Sequence, residues 1–483
     1  MKQRDRYQEC VYPSPESRAA LWDQTNRLLD GVLDGLPNRS PSPSLDMSAI
    51  RERLRTYDFR EARDPAVTLS DVVDILASGI VHTQHPRYFG LFNPSPTFPG
   101  IVADAIASTI NPQLAVWSHA PAAVEMERHV VRWLCRSVGW HDEGIGGHFT
   151  SGGAEANYTA TLSALTRVEE GFSDRGARAF GGQPRIYASA ESHLAWYKIA
   201  HQTGIGRAAV RLIPTDGSGR MDVGELDAAV SEDSDLGRVP VMVAATAGTT
   251  NAGMIDPLAE IRGVALRRRL WLHVDAAWGG AVRLSPTSRR LLAGIEEADS
   301  VTIDAHKWLA APMGAGIILF RNAEILGRTF RVEASYMPEG VAELDPYTHS
   351  AQWSRRFVGL RLFLSLAILG EEGYAWMIDR GVGLAAELAR LLKESDWSVV
   401  NDPSLAVVCF VDNRSGQEPS EIVARVVEEG RAWISVARFE GQAVVRACMT
   451  SHRSTEADIR ELIQALNRAR DDAVTSGTGS PAE

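Results

Sequence analysis

The sequence lacks the features of an exported or membrane-bound protein. No apolar run approaches the roughly 20 residues that a helix needs to cross a bilayer. The amino-terminal stretch MKQRDRYQEC has no apolar core of the kind that a secretory signal carries. We therefore expect a cytoplasmic protein without a membrane partner.

Cysteine and basic residues are also scarce. The chain has four cysteines that are far apart and form no CxxC pair, namely Cys10, Cys135, Cys409 and Cys448. This spacing argues against a disulfide framework or a zinc site, and we expect no bound metal. Acidic residues outnumber basic ones by 61 to 50, and the net charge is −11. No nucleic-acid partner is expected, because a non-specific nucleic-acid surface is basic.

The composition that remains is that of a globular protein, and we expect an enzyme. The 483 residues are 45% apolar and 23% charged, which allows a large core. At about 150 residues per domain, this length corresponds to two or three domains.

The first 90 residues form an amino-terminal helical segment in this interpretation. Helical spacing at 18–36 and 69–81 flanks LPNRSPSPSL, whose prolines and serines interrupt regular structure. The segment HPRYFGLFNPSPTFPG then reads as an irregular, packed loop, and another helix is predicted at 122–138.

Residues 91–345 are predicted to form a large α/β domain. Short apolar runs, among them VPVMVAATAG, LWLHVDAAW and GAGIILF, alternate with helical segments such as 257–269 and 287–296. This alternation is typical of a mostly parallel sheet that helices cover on both faces. Such sheets bind ligands beyond the carboxyl ends of their strands.

Residues 346–470 are predicted to form a small carboxy-terminal α+β domain, with helices at 383–394, 420–429 and 455–469. Its strand candidates are LAVVCFV and AVVRACMTS. The polar tail at 471–483 is expected to be disordered.

Asp275 ends an apolar run in LWLHVDAAWGG. It could make a turn, or it could bind a metal as in nucleotide hydrolases, although the companion P-loop is missing. A third interpretation is a carboxylate that faces a cationic ring nitrogen, since buried carboxylates require a partner.

Lys307 and His306 follow another apolar run in SVTIDAHKWL. Burial generally lowers the pKa of a lysine, which makes its amine a usable nucleophile for Schiff-base formation. The alternative is a lysine that extends to the surface. His193 in SAESHLAWYK is either a core histidine or a flat ring that stacks on an aromatic cofactor.

The stretch TSGGAEANYTATLSAL places Gly152 and Gly153 before a helix-forming segment. A helix start with close backbone approach suits a phosphate. The alternative is an ordinary helix start that Thr150 or Ser151 caps. A phosphate-binding turn, an amine nucleophile, a carboxylate and a stacking histidine together describe a site for pyridoxal 5′-phosphate.

The motifs TSGGAEAN, ATAGTT, HVDAAWGG and DAHKWL resemble those of the group II pyridoxal-dependent decarboxylases, which include glutamate and aromatic-L-amino-acid decarboxylases. The resemblance extends from about residue 85 to about 470. It implies fold type I, the pyridoxal-phosphate-dependent transferase fold with a mostly parallel seven-stranded sheet in its large domain. It also implies a homodimer with shared active sites, in which residues 1–90 pack on the partner subunit.

The resemblance assigns roles to individual residues. Lys307 matches the Schiff-base lysine, Asp275 the partner of the pyridine nitrogen and His193 the stacking histidine. Gly153, Ala154 and His306 match the positions that hold the cofactor phosphate. Ala277 matches the residue that packs on the opposite face of the ring, and Thr246 matches a threonine near the cofactor and the substrate carboxylate.

The resemblance leaves the proton donor and the reaction outcome open. Tyr347 lies eight residues before Arg355 and is nearer to it than the family's loop tyrosine is; an ungapped match places Leu344 there. Either Tyr347 is catalytic, or another acid delivers the proton. The expected reaction is decarboxylation of an L-amino acid to the amine, with oxidative deamination to an aldehyde or another carbon–carbon lysis as alternatives. A non-enzymatic scaffold is the remaining alternative.

Three residues match substrate-binding segments of the family. Phe98 and Trp117 favour an aromatic or apolar side chain, whereas Arg446 in VVRACMTS matches an arginine that contacts the substrate carboxylate in glutamate-type members of the family and favours that branch. The sequence leaves this choice open.

Overall fold

The structure, a computed structural model, describes residues 9–332 and 345–476, the last five of these by their backbone only. The described residues form two units. The larger unit comprises 89–332, 345–420 and 435–452, and the smaller comprises 9–88, 421–434 and 453–476.

The larger unit contains the seven-stranded sheet. Its strands are β1 Gly146–Thr150, β2 Pro184–Ser189, β3 Val210–Ile213, β4 Val239–Thr246, β5 Trp271–Asp275, β6 Ser300–Asp304 and β7 Gly316–Phe320. They lie in the order β1-β7-β6-β5-β4-β2-β3. The five strands from β6 to β3 are parallel, whereas β7 is antiparallel to both of its neighbours. This arrangement confirms the mostly parallel sheet expected from the sequence.

The central strands are buried along their whole length, which explains their apolar sequences. Every residue of β5, β6 and β7 is buried, as expected for parallel strands with helices on both faces. The helices of this unit are Phe98–Ile110, Pro121–Val138, Gly153–Val168, Phe172–Arg175, Ala195–Gln202, Val223–Asp235, Leu258–Arg268, Glu324–Phe330 and Gly359–Glu394. The last of these is interrupted at Gly370, which has a φ of 65°.

One predicted helix is wrong. Residues 287–296 form two short 3₁₀ turns, Arg289–Leu292 and Ile295–Glu297. Gly294 separates them with a φ of 95°, and a Cβ on this residue would lie 2.8 Å from the Ala259 backbone nitrogen. The close approach of the neighbouring helix therefore interrupts regular structure there.

A second, four-stranded sheet also belongs to the larger unit. Its strands are β8 Trp397–Val399, β9 Val407–Asp412, β10 Ser435–Phe439 and β11 Gln442–Cys448, in the order β10-β11-β9-β8. All its pairings are antiparallel. The smaller carboxy-terminal sheet of the expected α/β architecture is thus confirmed.

The smaller unit is helical. It contains Pro15–Gly35, Met47–Arg55, Pro65–Ser78 and Glu456–Ser476, together with most of Pro419–Glu428. Capping residues define several starts: Ser14 and Asp64 each accept a backbone N–H bond and precede a proline, which suits the first helical position. Residues 477–483 of the predicted disordered tail lie outside the described residues. Among the described residues, no helix has both the length and the apolar character needed to cross a membrane.

Candidate active site

The site lies where three parallel strands end. Thr246 ends β4, Asp275 ends β5 and Asp304 ends β6. Thr246 and Asp275 are direct register partners, so their side chains begin at the same edge of the sheet. Lys307 follows three residues after β6 in a turn. Polar residues therefore lie at the ends of these strands, as the sequence predicted.

A cavity at this edge brings together most of the predicted site residues. Seven of its lining residues were predicted from the sequence: Gly153, Ala154, His193, Thr246, Asp275, Ala277 and Lys307. Five others line the same cavity without having been predicted: Asn157, Gly248, Thr250, Trp278 and Asp304.

Lys307 forms an ion pair inside the cavity. Its Nζ lies 2.9 Å from Asp304 Oδ2, and the Asp304 side chain is only 2% exposed. Within the described part of the chain, Asp304 Oδ1 is buried without a hydrogen-bond partner. His306 Nε2 lies 3.9 Å from the same carboxylate, and its Nδ1 accepts a bond from the Ala315 amide. Lys307 is thus held in place, while its counter-ion keeps one oxygen unpaired.

Asp275 is held by two donors. Asn157 Nδ2 donates to Asp275 Oδ2 at 2.8 Å, and the Ala277 amide donates to Oδ1 at 3.1 Å. The residue is 7% exposed. A carboxylate this deeply buried is costly unless a cation or several donors stabilise it, so Asp275 suits a cationic ring.

The helix Gly153–Val168 begins at the cavity. Its N-cap residue is Gly152, while Thr150 Oγ1 donates to the Gly152 carbonyl and Ser151 bonds Glu155. The alternative of an ordinary cap from Thr150 or Ser151 is therefore wrong. A Cβ on Gly153 would lie 2.9 Å from Asp304 Oδ2, which explains the glycine. The first amides of this helix remain available for an anion.

His193 and Thr246 are fixed by main-chain contacts. His193 Nδ1 accepts a bond from the Ala195 amide, which orients the exposed ring. The Thr246 amide donates to Asp256 Oδ2 at 2.7 Å, and burial raises the pKa of Asp256 to about 6. Among the described residues, the buried Thr246 hydroxyl has no partner. It is a second unpaired polar atom on a residue that lines the cavity.

Four other predicted residues lie outside the cavity lining, and His306, described above, is one of them. Phe98, at a helix start, is 63% exposed. Trp117 donates from its indole nitrogen to Glu125 and from its amide to Asp345. Tyr347 packs against Trp353, with ring centroids 4.9 Å apart and the ring planes tilted by 34°. Leu344, the alternative to Tyr347, is in 333–344 and outside the described residues.

Arg446 also lies outside the cavity lining, and its guanidinium is bound to protein acceptors. Nε donates to Ser435 Oγ at 3.0 Å, Nη1 to the Thr250 carbonyl at 2.6 Å and Nη2 to the Gly90 carbonyl at 3.1 Å. In this arrangement Arg446 ties three segments of the larger unit together.

The residues of the cavity fit pyridoxal phosphate. An unpaired helix start suits the phosphate, Asp275 suits the ring nitrogen, and the unpaired oxygens of Thr246 and Asp304 leave polar capacity for a bound group. When bound, the coenzyme supplies an aldehyde that joins an amine and a ring that withdraws electrons. The fold and this site together define an enzyme of the pyridoxal phosphate class.

Comparisons with known proteins identify the family. The model of the pyridoxal-dependent decarboxylase conserved domain matches residues 52–412. The aromatic-L-amino-acid decarboxylase of Bacillus atrophaeus is 28% identical over 95% of this chain and 96% of its own length. The cysteine sulfinic acid decarboxylase of Rattus norvegicus is 35% identical over 68% of each chain. The crystal structure of mouse CSAD superposes with a TM-score of 0.89 at 27% identity, covering 95% of this chain and 99% of that one.

The chain belongs to the pyridoxal-dependent decarboxylase family. The resemblance drawn from the sequence motifs is thereby confirmed, as is the expected fold type. The expectations of a carboxy-lyase and of pyridoxal phosphate as its cofactor are confirmed as well.

Proposed function

We propose that the protein removes the α-carboxylate of an L-amino acid as CO₂ and releases the corresponding amine. The observation that carries this proposal is the shared cavity of Lys307 and Asp275 at the start of the helix Gly153–Val168. An amine that can join the coenzyme aldehyde and a carboxylate that can stabilise the ring nitrogen are the two groups that this chemistry requires.

The other predicted site residues take binding roles. Gly153 and Ala154 bind the phosphate through their amides, and His306 supports them from the Lys307 turn. His193 and Ala277 confine the ring on its two faces. Asp275 keeps a proton on the pyridine nitrogen, because its negative charge stabilises the positively charged ring. Thr246 uses its free hydroxyl to bind the coenzyme or the substrate carboxylate.

We also propose a homodimer with shared active sites, which exposed apolar residues near His193 and the Lys307 turn support. Phe98, Leu194 and Met313 are 63%, 72% and 62% exposed. The Thr97 amide donates to the Ala310 carbonyl, three residues beyond Lys307, so the Phe98 helix start is attached to the Lys307 turn. Apolar side chains so exposed are typical of an interaction surface. We assign to the partner the role of covering this surface and of contacting residues 1–90.

We assign to Tyr347 the donation of a proton to the Cα of the substrate in the shared active site. Its amide bonds the Ala115 carbonyl, and the Trp117 amide bonds the Asp345 carboxylate. These bonds join the Tyr347 segment to the Trp117 segment, which supports the proposal of a common site for both. We also place the enzyme in the cytoplasm, a compartment that fits its four free cysteines.

The substrate class that we propose is an L-amino acid with an aromatic or apolar side chain. The phenyl ring of Phe98 and the indole of Trp117 lie on the two segments expected to bind substrate. Arg446, which the resemblance to glutamate-type members assigns to the substrate carboxylate, already donates to Ser435, Thr250 and Gly90. The relatives include both aromatic and sulfinic amino-acid decarboxylases, so the substrate must be measured.

The test is a screen of amino acids together with borohydride trapping. Wild type is expected to release amine and CO₂ and to carry reduced coenzyme on Lys307. Lys307→Ala should lose the trapped adduct and about 1,000-fold or more in turnover, because covalent catalysis is lost. Lys198→Ala, at an exposed helical position, is the matched control and should keep both. Aldehyde and ammonia instead of amine would establish oxidative deamination, and an adduct on another lysine would contradict the assignment.

A further inference from the structure

A continuous chain of hydrogen bonds runs behind Asp275. Trp271 Nε1 donates to Ser300 Oγ at 2.8 Å, and Ser300 Oγ lies 2.8 Å from His273 Nδ1. His273 Nε2 lies 3.0 Å from Asn157 Oδ1, and Asn157 Nδ2 donates to Asp275 Oδ2 at 2.8 Å. The chain thus connects an indole in the protein core to the carboxylate in the cavity.

The strand pairing explains how these residues come together. Trp271, His273 and Asp275 alternate along β5 and therefore share one face of the sheet. His273 pairs in register with Ser300 and Asp275 with Thr302, so β6 presents its own polar residues on the same face. Asn157 comes from the helix Gly153–Val168, whose buried side covers that face.

Chemistry fixes the direction of every bond in this chain. The Asn157 amide nitrogen must face the Asp275 carboxylate, because its oxygen there would be repelled. Asn157 Oδ1 is then an acceptor, so His273 Nε2 carries the proton and Nδ1 accepts from the Ser300 hydroxyl. The Ser300 oxygen accepts in turn from Trp271, whose indole can only donate. All donors therefore point towards Asp275.

His273 is neutral in this chain. The residue is completely buried, and desolvation lowers its pKa to about 4. Thr302 Oγ1 also donates to Asn157 Oδ1 at 2.7 Å, so that this oxygen has two donors. Buried hydrogen bonds that all point in the same direction polarise one another. This strengthens the last bond of the chain, from Asn157 to Asp275.

We infer that Trp271, Ser300, His273 and Asn157 are positioning residues that act through Asp275. Their aligned dipoles stabilise its ionised form, and the ionised carboxylate in turn holds the proton on the coenzyme's ring nitrogen. This inference rests on the proposed function. It adds an electrostatic role for four residues to which the sequence motifs assign none.

The test compares pyridoxal phosphate with its 1-deaza analogue, in which a carbon replaces the ring nitrogen. The Asp275 carboxylate can stabilise only the coenzyme that has the ring nitrogen. Trp271→Phe and Ser300→Ala each remove one donor, and we expect each to weaken binding of pyridoxal phosphate by about tenfold, as for the loss of one buried hydrogen bond of the chain. Binding of the deaza analogue, measured by titration of the apoenzyme, should change by less than about twofold because the rest of the cavity is kept.

Trp196→Phe is the matched control. Trp196 is a buried indole 5.8 Å from the His273 ring, and in the described part of the chain its Nε1 has no partner. Trp196→Phe should leave the affinities for both coenzymes unchanged. Ser300→Thr keeps a hydroxyl at this position, so it should keep the wild-type affinity for pyridoxal phosphate. Equal losses for both coenzymes in Trp271→Phe and Ser300→Ala would overturn the inference and show a packing role. Failure of the wild type to bind pyridoxal phosphate would instead overturn the proposed function, and the inference with it.

Discussion

The two sides of the cavity differ in how completely their polar groups are paired. On the side of Asp275, both carboxylate oxygens accept hydrogen bonds, and Asn157 behind them is bonded in turn. On the side of Lys307, the Asp304 carboxylate bonds the amine through Oδ2, and among the described residues its Oδ1 has no partner. The Thr246 hydroxyl resembles Asp304 Oδ1 in this respect.

This difference separates a preorganised region from one that a ligand completes. A buried polar atom without a partner costs about 1–3 kcal/mol. The protein bears that cost at Thr246 and Asp304, and avoids it at Asp275. We infer that the Asp275 side of the site is already paired without a coenzyme, whereas the Lys307 side keeps a buried oxygen that a bound group would pair.

The largest effect is expected from Asp275→Ala, which removes the preorganised side. The substitution leaves the Asn157 amide and the Ala277 N–H without their acceptor, and it removes the charge opposite the ring nitrogen. Coenzyme affinity should fall by about 100-fold to 1,000-fold, with loss of most turnover. Titration of the apoenzyme and amine release measure the two effects. Asp227→Ala, which breaks ion pairs with Arg267 and Arg268 at the surface, should change neither. Near-normal turnover in Asp275→Ala would contradict its role.

Asp304→Asn, on the Lys307 side of the cavity, is expected to have a smaller effect. It should favour coenzyme capture rather than weaken coenzyme binding. The variant removes the charge that binds Lys307 Nζ and that lies close to the helix start assigned to the phosphate. Coenzyme capture at neutral pH, followed by imine absorbance, should become about tenfold faster. Asp299→Asn changes a largely buried carboxylate outside the cavity lining and should leave the rate unchanged. Slower capture in Asp304→Asn would show that the ion pair assists loading.

The smallest effects are expected from substitutions of two buried threonines, compared in the apoenzyme. Thr302→Val removes a hydroxyl that donates to Asn157 and should lower the free energy of unfolding by about 1 kcal/mol. Thr246→Val removes a buried hydroxyl that is unpaired among the described residues, so the free energy of unfolding of the apoenzyme should rise by about 1 kcal/mol. Urea unfolding measures both. Equal losses in the two variants would contradict the difference in pairing between the Thr302 and Thr246 hydroxyls.

The sequence predicted the strands that carry the site, because their apolar runs are continuous and end in polar residues. Asp275 and the Lys307 turn could be located in this way. The strand Gly146–Thr150 was missed, since its glycines resemble a turn and its place depends on pairing with β7, far away in the chain. The short strands β8 and β10 give equally weak local patterns.

The sequence did not predict Asn157 or Asp304 as site residues. Asn157 lies on an alanine-rich helix, where a polar side chain normally faces solvent, and only tertiary packing directs it towards Asp275. A signal was nevertheless present: WLHVD and SVTID alternate polar and apolar residues although both strands are fully buried. Parallel strands buried on both faces are usually apolar throughout, so such alternation indicates an internal polar network.

The tight contact at Gly153 constrains how this site can evolve. A methyl group there would come within 2.9 Å of Asp304 Oδ2, so a larger residue at 153 requires a shorter or displaced one at 304. Substitutions at these distant positions should therefore be accepted together and rejected singly. Among homologues, the two positions are expected to covary, and a designer who wishes to reshape the phosphate end must change both in a single step.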